Sequence, residues 1–508
     1  MDMLLDSLAM VADLRVLLGI LAGTLLGLIM GALPGLSAAM AIALLIPLTF
    51  GMGPIMGMGM LLGAFCGAIA GGAIPALLLN IPGTPSSVCT TLDGFPMVRN
   101  GRAGEALGLA LASSFIGGVI GALFLILFAP PIARFALAFG PAEFFALGVF
   151  GIVIIASVSS GSVLRGVAAG LLGLGLATVG SDPMTGVLRF TAGQPALITG
   201  IGLLPALIGL FAVSQVLQDI AERTGLTTPP ETMAQPRAAH IPWRLLARGW
   251  KVISVSTVIG TVIGAIPGAG GSIASFLSYD QARRMSKTPE KFGTGHPEGV
   301  IASESANNAT AGGALIPMLT LGVPGEVATA VLMGGLTIQG VRPGPGLFEQ
   351  QATLFYGILL AFLLANVVMF LTQLLGIRLF IRILQVPFRL LMPMILMFCV
   401  IGVYGVNGSL FEVWLMFGFG LLGFFLNRYG FGTAPVILGL ILGSLMESNL
   451  RRGMLVFNGD WTQFLRQPIS LTLLLLAAVF LGAVLWQRHR EAPTPDADTD
   501  PDALRAPH

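Results

Sequence analysis

Charge is what this chain has least of. Only 10% of its 508 residues are Asp, Glu, Lys or Arg, against 55% hydrophobic, and mean hydropathy is +0.89. Soluble domains carry roughly 25% charged residues. No soluble fold of this length could hide so much apolar surface, so the chain reads as an integral membrane protein. Lysine is reduced to Lys251, Lys287 and Lys291. None lies in a GxxxxGK[ST] context, which excludes ATP binding by a phosphate-binding loop. The three cysteines, Cys66, Cys89 and Cys399, fit no metal spacing. The four histidines (His240, His296, His489, His508) fall in predicted loops or in the tail, and HExxH is absent. Catalytic metal chemistry in the membrane is therefore not expected, no cofactor is implied, and the reading is not that of an enzyme. A net charge of +2 points to no nucleic-acid partner.

What the chain has instead is apolar runs and glycine. A spanning helix needs about 20 apolar residues, and on the order of a dozen such segments can be drawn. The first, from about Val16 to Leu33, is too long and too glycine-rich for a signal peptide. It follows Asp6 and Asp13 rather than a basic region, so it is expected to persist in the mature protein. Gly19, Gly23, Gly27 and Gly31 recur every four residues along one helix face, as do Gly260, Gly264 and Gly268. Such stripes are read first as close helix packing.

Charges gather at 219–251, 280–298 and 376–389, which the positive-inside rule puts in the cytoplasm. The first gap divides the chain into a membrane repeat at 1–218, a polar linker at 219–250, a second membrane repeat at 251–486 and a polar, disordered tail at 487–508. The halves resemble each other. GALPG at 31–35 matches GAIPG at 264–268, an offset of 233. AGGAIP at 70–75 matches AGGALIP at 311–317, and IPG at 81–83 matches VPG at 323–325, an offset of 242. The order and spacing predict an internal duplication with the second copy inverted, a common plan of secondary transporters. Segments 251–282 and about 300–340 are each expected to form re-entrant hairpins around a Pro-Gly break, and the first half allows similar ones.

These breaks carry the chemistry. Proline lacks an N–H and glycine tolerates unusual backbone angles, so the pair ends one helix and starts another. The freed backbone groups cannot face lipid and must line protein or a wet cavity. A helix N-terminus there offers free N–H groups and about half a positive charge, which suits a carboxylate without any Arg or Lys. The candidate substrate-binding residues are Pro34, Gly35 and Ser37; Asn80, Pro82, Gly83, Thr84, Ser86 and Ser87; Pro267, Gly268, Gly270, Gly271 and Ser272; and Asn307, Asn308, Pro324 and Gly325. Carbonyls at the ends of the first half-helices suit Na+, the one metal envisaged. Glu304, Ser305, Thr310 and Glu326 are the candidate coupling-ion residues, since an ionisable group at membrane depth is functional by default. Each has a bland alternative. A proline kink can merely bend a helix, Glu304 can sit near the interface, and Glu326 can simply cap its helix. Arg99 and Arg102 read as a solvated loop.

The motifs are also those of a family. GALPGLSA (31–38), GGAIPALLLNIPGTPSSVCTTLDGFPM (71–97), GRAGEALG (101–108), IGAIPGAGGSIASFLSYDQARR (263–284) and FGTGHPEGVIASESANNATAGGALIPMLTLGVPG (292–325) lead this likeness. On them the chain resembles the large membrane subunit of bacterial tripartite tricarboxylate transporters. The resemblance implies a multi-pass protein of the bacterial inner membrane. It implies two partners, a small membrane subunit of about four helices and a periplasmic solute-binding protein. It further implies a di- or tricarboxylate cargo such as citrate, and symport with Na+ or H+. Analogy to other carboxylate carriers implies an elevator-type motion. The competing readings are a membrane-embedded enzyme and a non-transporting structural subunit.

Overall fold

The computed structural model describes residues 2–159, 163–222, 239–384, 386 and 388–491. Apart from one two-stranded antiparallel ladder, Gly180–Ser181 with Leu188–Arg189, the described residues form helices and their connections. Among the described residues, seven helices are long and apolar enough to cross a membrane: Leu14–Ala32, Pro54–Leu79, Ala103–Ala136, Leu203–Ala221, Ala352–Ile383, Leu390–Asn407 and Leu410–Arg428. Six more apolar helices are only 10–17 residues long. The protein is an all-α, multi-pass membrane protein. The 223–238 part of the expected linker and the tail beyond Glu491 lie outside the described residues. The linker's described ends are helical, in Ser214–Glu222 and Trp243–Arg248, and the last helix runs to Glu491, past the expected start of the tail.

The short helices arise at the Pro-Gly pairs. Leu14–Ala32 stops at an extended Leu33, and Gly35 turns the chain with φ +87°. Ser37 then accepts the Met40 N–H at 3.2 Å and starts Ala38–Leu45. Trp250–Ala265 stops at an extended Ile266, Gly268 turns with φ +87°, and Gly270–Met285 begins. The other two breaks share a different form. Pro54–Gly71 and Ala73–Leu79 end on left-handed Asn80, and Pro297–Leu321 ends on left-handed Gly322. After the Pro-Gly, Thr84 and Ser87 cap each other before Val88–Arg99, as Glu326 and Thr329 do before Val327–Ile338. At 1.5 Å per residue, a 16-residue helix such as Trp250–Ala265 reaches about 24 Å, short of the ~30 Å hydrocarbon core.

The glycine stripes pack backbone on backbone. A Cβ on Gly27 would lie 2.3 Å from the Ala64 carbonyl oxygen, and one on Gly264 2.3 Å from that of Thr310. Leu14–Ala32 thereby seats against Pro54–Gly71, and Trp250–Ala265 against Pro297–Leu321. The second pair of breaks rests on these seams. A Cβ on Gly83 would meet the Gly31 oxygen at 2.2 Å, and one on Gly325 the Gly264 oxygen at 2.6 Å.

Two polar knots hold the connections. Asp93, fully buried in Val88–Arg99, accepts the backbone N–H groups of Gly293, Gly295 and His296 at 2.7–2.9 Å on Oδ1, and the Tyr279 hydroxyl at 2.9 Å on Oδ2. It fixes the loop that opens Pro297–Leu321. At the 180–189 ladder, Asp182 accepts from Met184 and Thr185 N–H and from Arg451, while Arg189 and Arg451 also pair with Glu447. The Met184 N–H, then Thr185 N–H and Arg451, hold the Asp182 carboxyl well below the usual range against its burial.

Gly27→Ala is expected to lower the thermal unfolding temperature in detergent, since overpacking against fixed backbone costs about 1–3 kcal/mol or more. Gly346→Ala, where a Cβ meets nothing within 4 Å, should leave it unchanged. Asp93→Ala should cost more than Tyr279→Phe. The first takes the acceptor from three N–H groups, of which buried Gly295 alone costs ~1–3 kcal/mol, and the second removes one bond worth about 1 kcal/mol. Equal melting temperatures for those two variants would contradict the role given to Asp93.

Candidate functional site

The four breaks converge on one cavity of about 540 Å³. Ser37, Ala38 and Ala39 bring the start of one helix to its wall, and Thr84, Pro85 and Ser86 the start of a second. Gly268 to Ile273 bring a third, and Glu326, Val327 and Ala328 a fourth. Thr433 and Ala434 add a fifth, the start of Ala434–Val456. Five helix N-termini thus face one volume, a size typical of small-molecule sites. Among the described residues, no Arg, Lys or His lines it. Each terminus carries roughly +0.5 charge, so the walls are electropositive by backbone alone.

The donors differ in readiness. Ser37, Thr84 and Glu326 have their side chains engaged in their own helix caps. The N-cap residues of Gly270–Met285 and Ala434–Val456 make no side-chain cap bond, so first-turn N–H groups beside the cavity lack that partner. Gly271 is the close-approach point. A Cβ there would lie 2.7 Å from Asn307 Oδ1 and 3.0 Å from Ser86 Cβ. The Asn307 side chain is 1% exposed and lines the cavity, yet neither its Nδ2 nor its Oδ1 has a hydrogen-bond partner. A buried amide left open is costly unless something else fills the position. Among the described lining residues Glu326 is the one acid, and its Oε2 would lie 3.6 Å from a Cβ on Gly270, beside the start of Gly270–Met285.

Of the residues singled out from sequence, Ser37, Thr84, Ser86, Gly268, Gly270, Gly271, Ser272, Asn307 and Glu326 line the cavity. Pro34, Gly35, Pro82, Gly83, Pro267, Pro324 and Gly325 form the turns and do not. Ser87 is buried, its hydroxyl bonded to Thr84 O at 2.8 Å and 3.2 Å from Thr84 N–H. Asn80 is exposed at its helix end. Glu304 lies one turn before Asn307, away from the cavity and fully buried. It accepts from Thr90 Oγ1 at 2.5 Å and Ser114 Oγ at 2.8 Å, with Asn308 Nδ2 at 3.5 Å. Asn308 also donates to Glu304 O and Thr310 to Ala306 O. Buried Ser305 Oγ has no partner. Arg102 pairs with Glu105 at 2.7 Å.

Among the lining residues that carried no weight in the sequence reading are Phe211, Gln215, Asn427 and Thr433. Thr433 had a signal, for Thr-Ala-Pro at 433–435 is a cap residue followed by proline in the first turn. Gln215 and Phe211 had none. They reach the cavity from Leu203–Glu222, where Ile208–Val213 widens to a π-helix, an irregularity common at functional sites.

Comparison with known proteins gives this geometry a family. Residues 17–438 match the tripartite tricarboxylate transporter TctA family. Two proteins of Agrobacterium vitis are similar. One, described as an uncharacterized 52.8 kDa protein in the TAR-I ttuC' 3' region, is 39% identical over 415 residues, 82% of each chain. The other, an uncharacterized protein in the TAR-II ttuC' 3' region, is 41% identical over 220 residues, 43% of this chain and 91% of its own. No solved structure matches. With over four-fifths of its length inside the match, the chain belongs to the tripartite tricarboxylate transporter TctA family.

Proposed function

We propose that this chain is the large membrane subunit of a binding-protein-dependent secondary transporter. It imports citrate-like di- or tricarboxylates across the bacterial inner membrane, driven by a Na+ or H+ gradient. The convergence of five helix N-termini on the cavity, with the open Asn307 amide between them, carries this reading. Together the five ends bring roughly +2.5 of partial charge, of which a carboxylate at Glu326 cancels about one. The surplus favours a polyanion, and neutral donors in place of fixed cations let it leave again. Family membership supports two partners, a small membrane subunit of about four helices and a periplasmic solute-binding protein that delivers the cargo.

The carrier works as two inverted repeats, 1–218 and 251–486. The like-for-like pairs of breaks support this. Gly35 matches Gly268 in φ, Asn80 matches Gly322, and the Thr84–Ser87 capping box matches Glu326–Thr329. The broken helices form the mobile unit of an elevator, closing on the cargo and carrying it across. Na+, where it is the coupling ion, takes carbonyls at the first half-helix ends, and Glu304, Ser305, Thr310 and Glu326 are the side chains nearest the coupling step.

The test is uptake of citrate into proteoliposomes holding the full complex, with and without a Na+ or proton gradient. Uptake should need one of these gradients and not ATP. Uptake that needs neither, or conversion of citrate without transport, would favour the structural or enzymatic alternatives. Asn307→Ala should weaken citrate binding about 10- to 100-fold, the worth of one hydrogen bond to a charged group. Ser272→Leu and Ser86→Leu should raise the apparent KM steeply, and wild-type curves from both would remove those residues from the site. A crosslink between Gly270–Met285 and Ala434–Val456 should abolish uptake and spare binding.

A further inference from the structure

Glu304 has an environment built for two protonation states and for no cation. Its carboxyl is wholly enclosed, and no Lys, Arg or His pairs with it among the described residues. Its partners are two hydroxyls and an amide from three different helices: Thr90 of Val88–Arg99, Ser114 of Ala103–Ala136 and Asn308 of its own. The titratable groups on the elements packed around it are Cys89 and Asp93 beside Thr90, with Arg99 at the far end of Val88–Arg99; Tyr279, which donates to Asp93, and the outer-end Asp280, Arg283 and Arg284 of Gly270–Met285; Glu298 in the first turn of its own helix; and Cys66 of Pro54–Gly71. Ala103–Ala136 and Trp250–Ala265 carry theirs only in their end turns, at Glu105, Arg134 and Lys251. A permanent charge enclosed so far from any counter-charge is expensive, whereas a carboxyl that gains and loses a proton is not.

The hydroxyl arrangement accepts both states. Thr90 Oγ1 lies 2.5 Å from Glu304 Oε1 and 3.3 Å from Ser303 Oγ. With the carboxylate ionised, the Thr90 proton points to Oε1. With the carboxyl protonated on Oε1, that proton is donated to Thr90 Oγ1, and the Thr90 proton turns to Ser303 Oγ. Ser303 continues to donate to Gly299 O at 2.9 Å. One proton is added, one hydrogen bond reverses, a second forms, and no heavy atom has to move.

The same node is tied to the cavity. Ser275 Oγ reaches both Gly271 O at 2.8 Å and Ser303 O at 3.2 Å, joining a cavity-lining residue to the backbone just before Glu304. Asn307 lines the cavity one turn further along the same helix. An anion in the cavity and a negative Glu304 repel across this low-dielectric layer, so each occupancy alters the other.

We propose that Glu304 is the carboxyl that takes up the coupling proton when an anion enters the cavity, with Thr90, Ser303 and Ser275 as the residues that hold it in register with Gly271. The inference rests on the cavity being the carboxylate site and assigns the coupling ion as H+.

Two measurements on the purified full-length chain test it. Infrared difference spectra over a pH series, without ligand, should contain the carbonyl stretch of a protonated, deuterium-sensitive carboxyl that titrates and is missing in Glu304→Gln. A spectrum unchanged in that variant, or a band abolished when K+ is replaced by Na+, overturns the proposal. Should Glu304→Gln not fold, Thr90→Val and Ser114→Ala decide the matter. Ser114→Ala removes a donor to the ionised form and should raise proton affinity on the order of tenfold, about one pH unit in the midpoint, whereas Thr90→Val removes a partner of both forms and should move it less. An unmoved midpoint in Ser114→Ala overturns the proposal. Second, calorimetric titration with citrate in buffers of different ionisation heat should register about one more proton taken up by wild type than by Glu304→Gln. Equal counts overturn it. Absence of citrate binding by wild type would sink the cavity reading instead, while the infrared series still decides Glu304 on its own.

Discussion

A backbone amide without an acceptor cannot be left in hydrocarbon, and the rest of this structure follows from how that demand is met. Four Pro-Gly pairs interrupt helices in the apolar part of the chain, and each interruption frees amides that lipid cannot satisfy. The breaks are therefore driven inward and together. Once five helix starts point at one volume, their partial charges add, and the cavity becomes a place for negative charge although no basic residue among those described lines it. Fold and site are here two descriptions of one solution to the same desolvation problem.

That solution requires helices to come unusually close. Bringing the break that follows Pro54–Leu79 onto the end of Leu14–Ala32 leaves no space between Gly83 and the Gly31 carbonyl, and the second half repeats the contact at Gly325 and Gly264. The four-residue glycine stripes are the means of that approach. They contribute no chemistry, but they set the depth at which the breaks meet. Side chains of ordinary size along those seams would push the helix starts apart and dissolve the cavity.

Much of this was legible in the sequence because the relevant signals are local. Proline and glycine act on their own backbone, so the position of each break could be read from the dipeptide. The polar run around Asn307 stood out against apolar flanks. The number of full crossings was less legible. Half-helices such as Trp250–Ala265 have spanning composition without spanning length, and hydropathy does not register where a turn halts them. Asp93 escaped notice because its partners, Gly293 to His296, are remote in sequence, and backbone donors leave no residue-type signature. Gln215 was hidden for a related reason: it lies in the polar stretch SQVLQDIAE at 214–222, and a polar side chain among others reveals nothing about which neighbour it faces. Thr433 was overlooked although its cap-and-proline pattern is local.

Asp93 also bears on how such a chain is made. Its carboxylate is buried, yet the amides that satisfy it at Gly293, Gly295 and His296 are encoded about 200 residues later. At roughly 5–20 residues per second, a ribosome needs about 10–40 s to supply them. Throughout that interval the nascent N-terminal portion holds an anion with no place to settle, and Val88–Arg99 cannot be locked down. Biogenesis is consequently obliged to keep that short helix in water, or sheltered by insertion machinery, until the later loop emerges and closes around it.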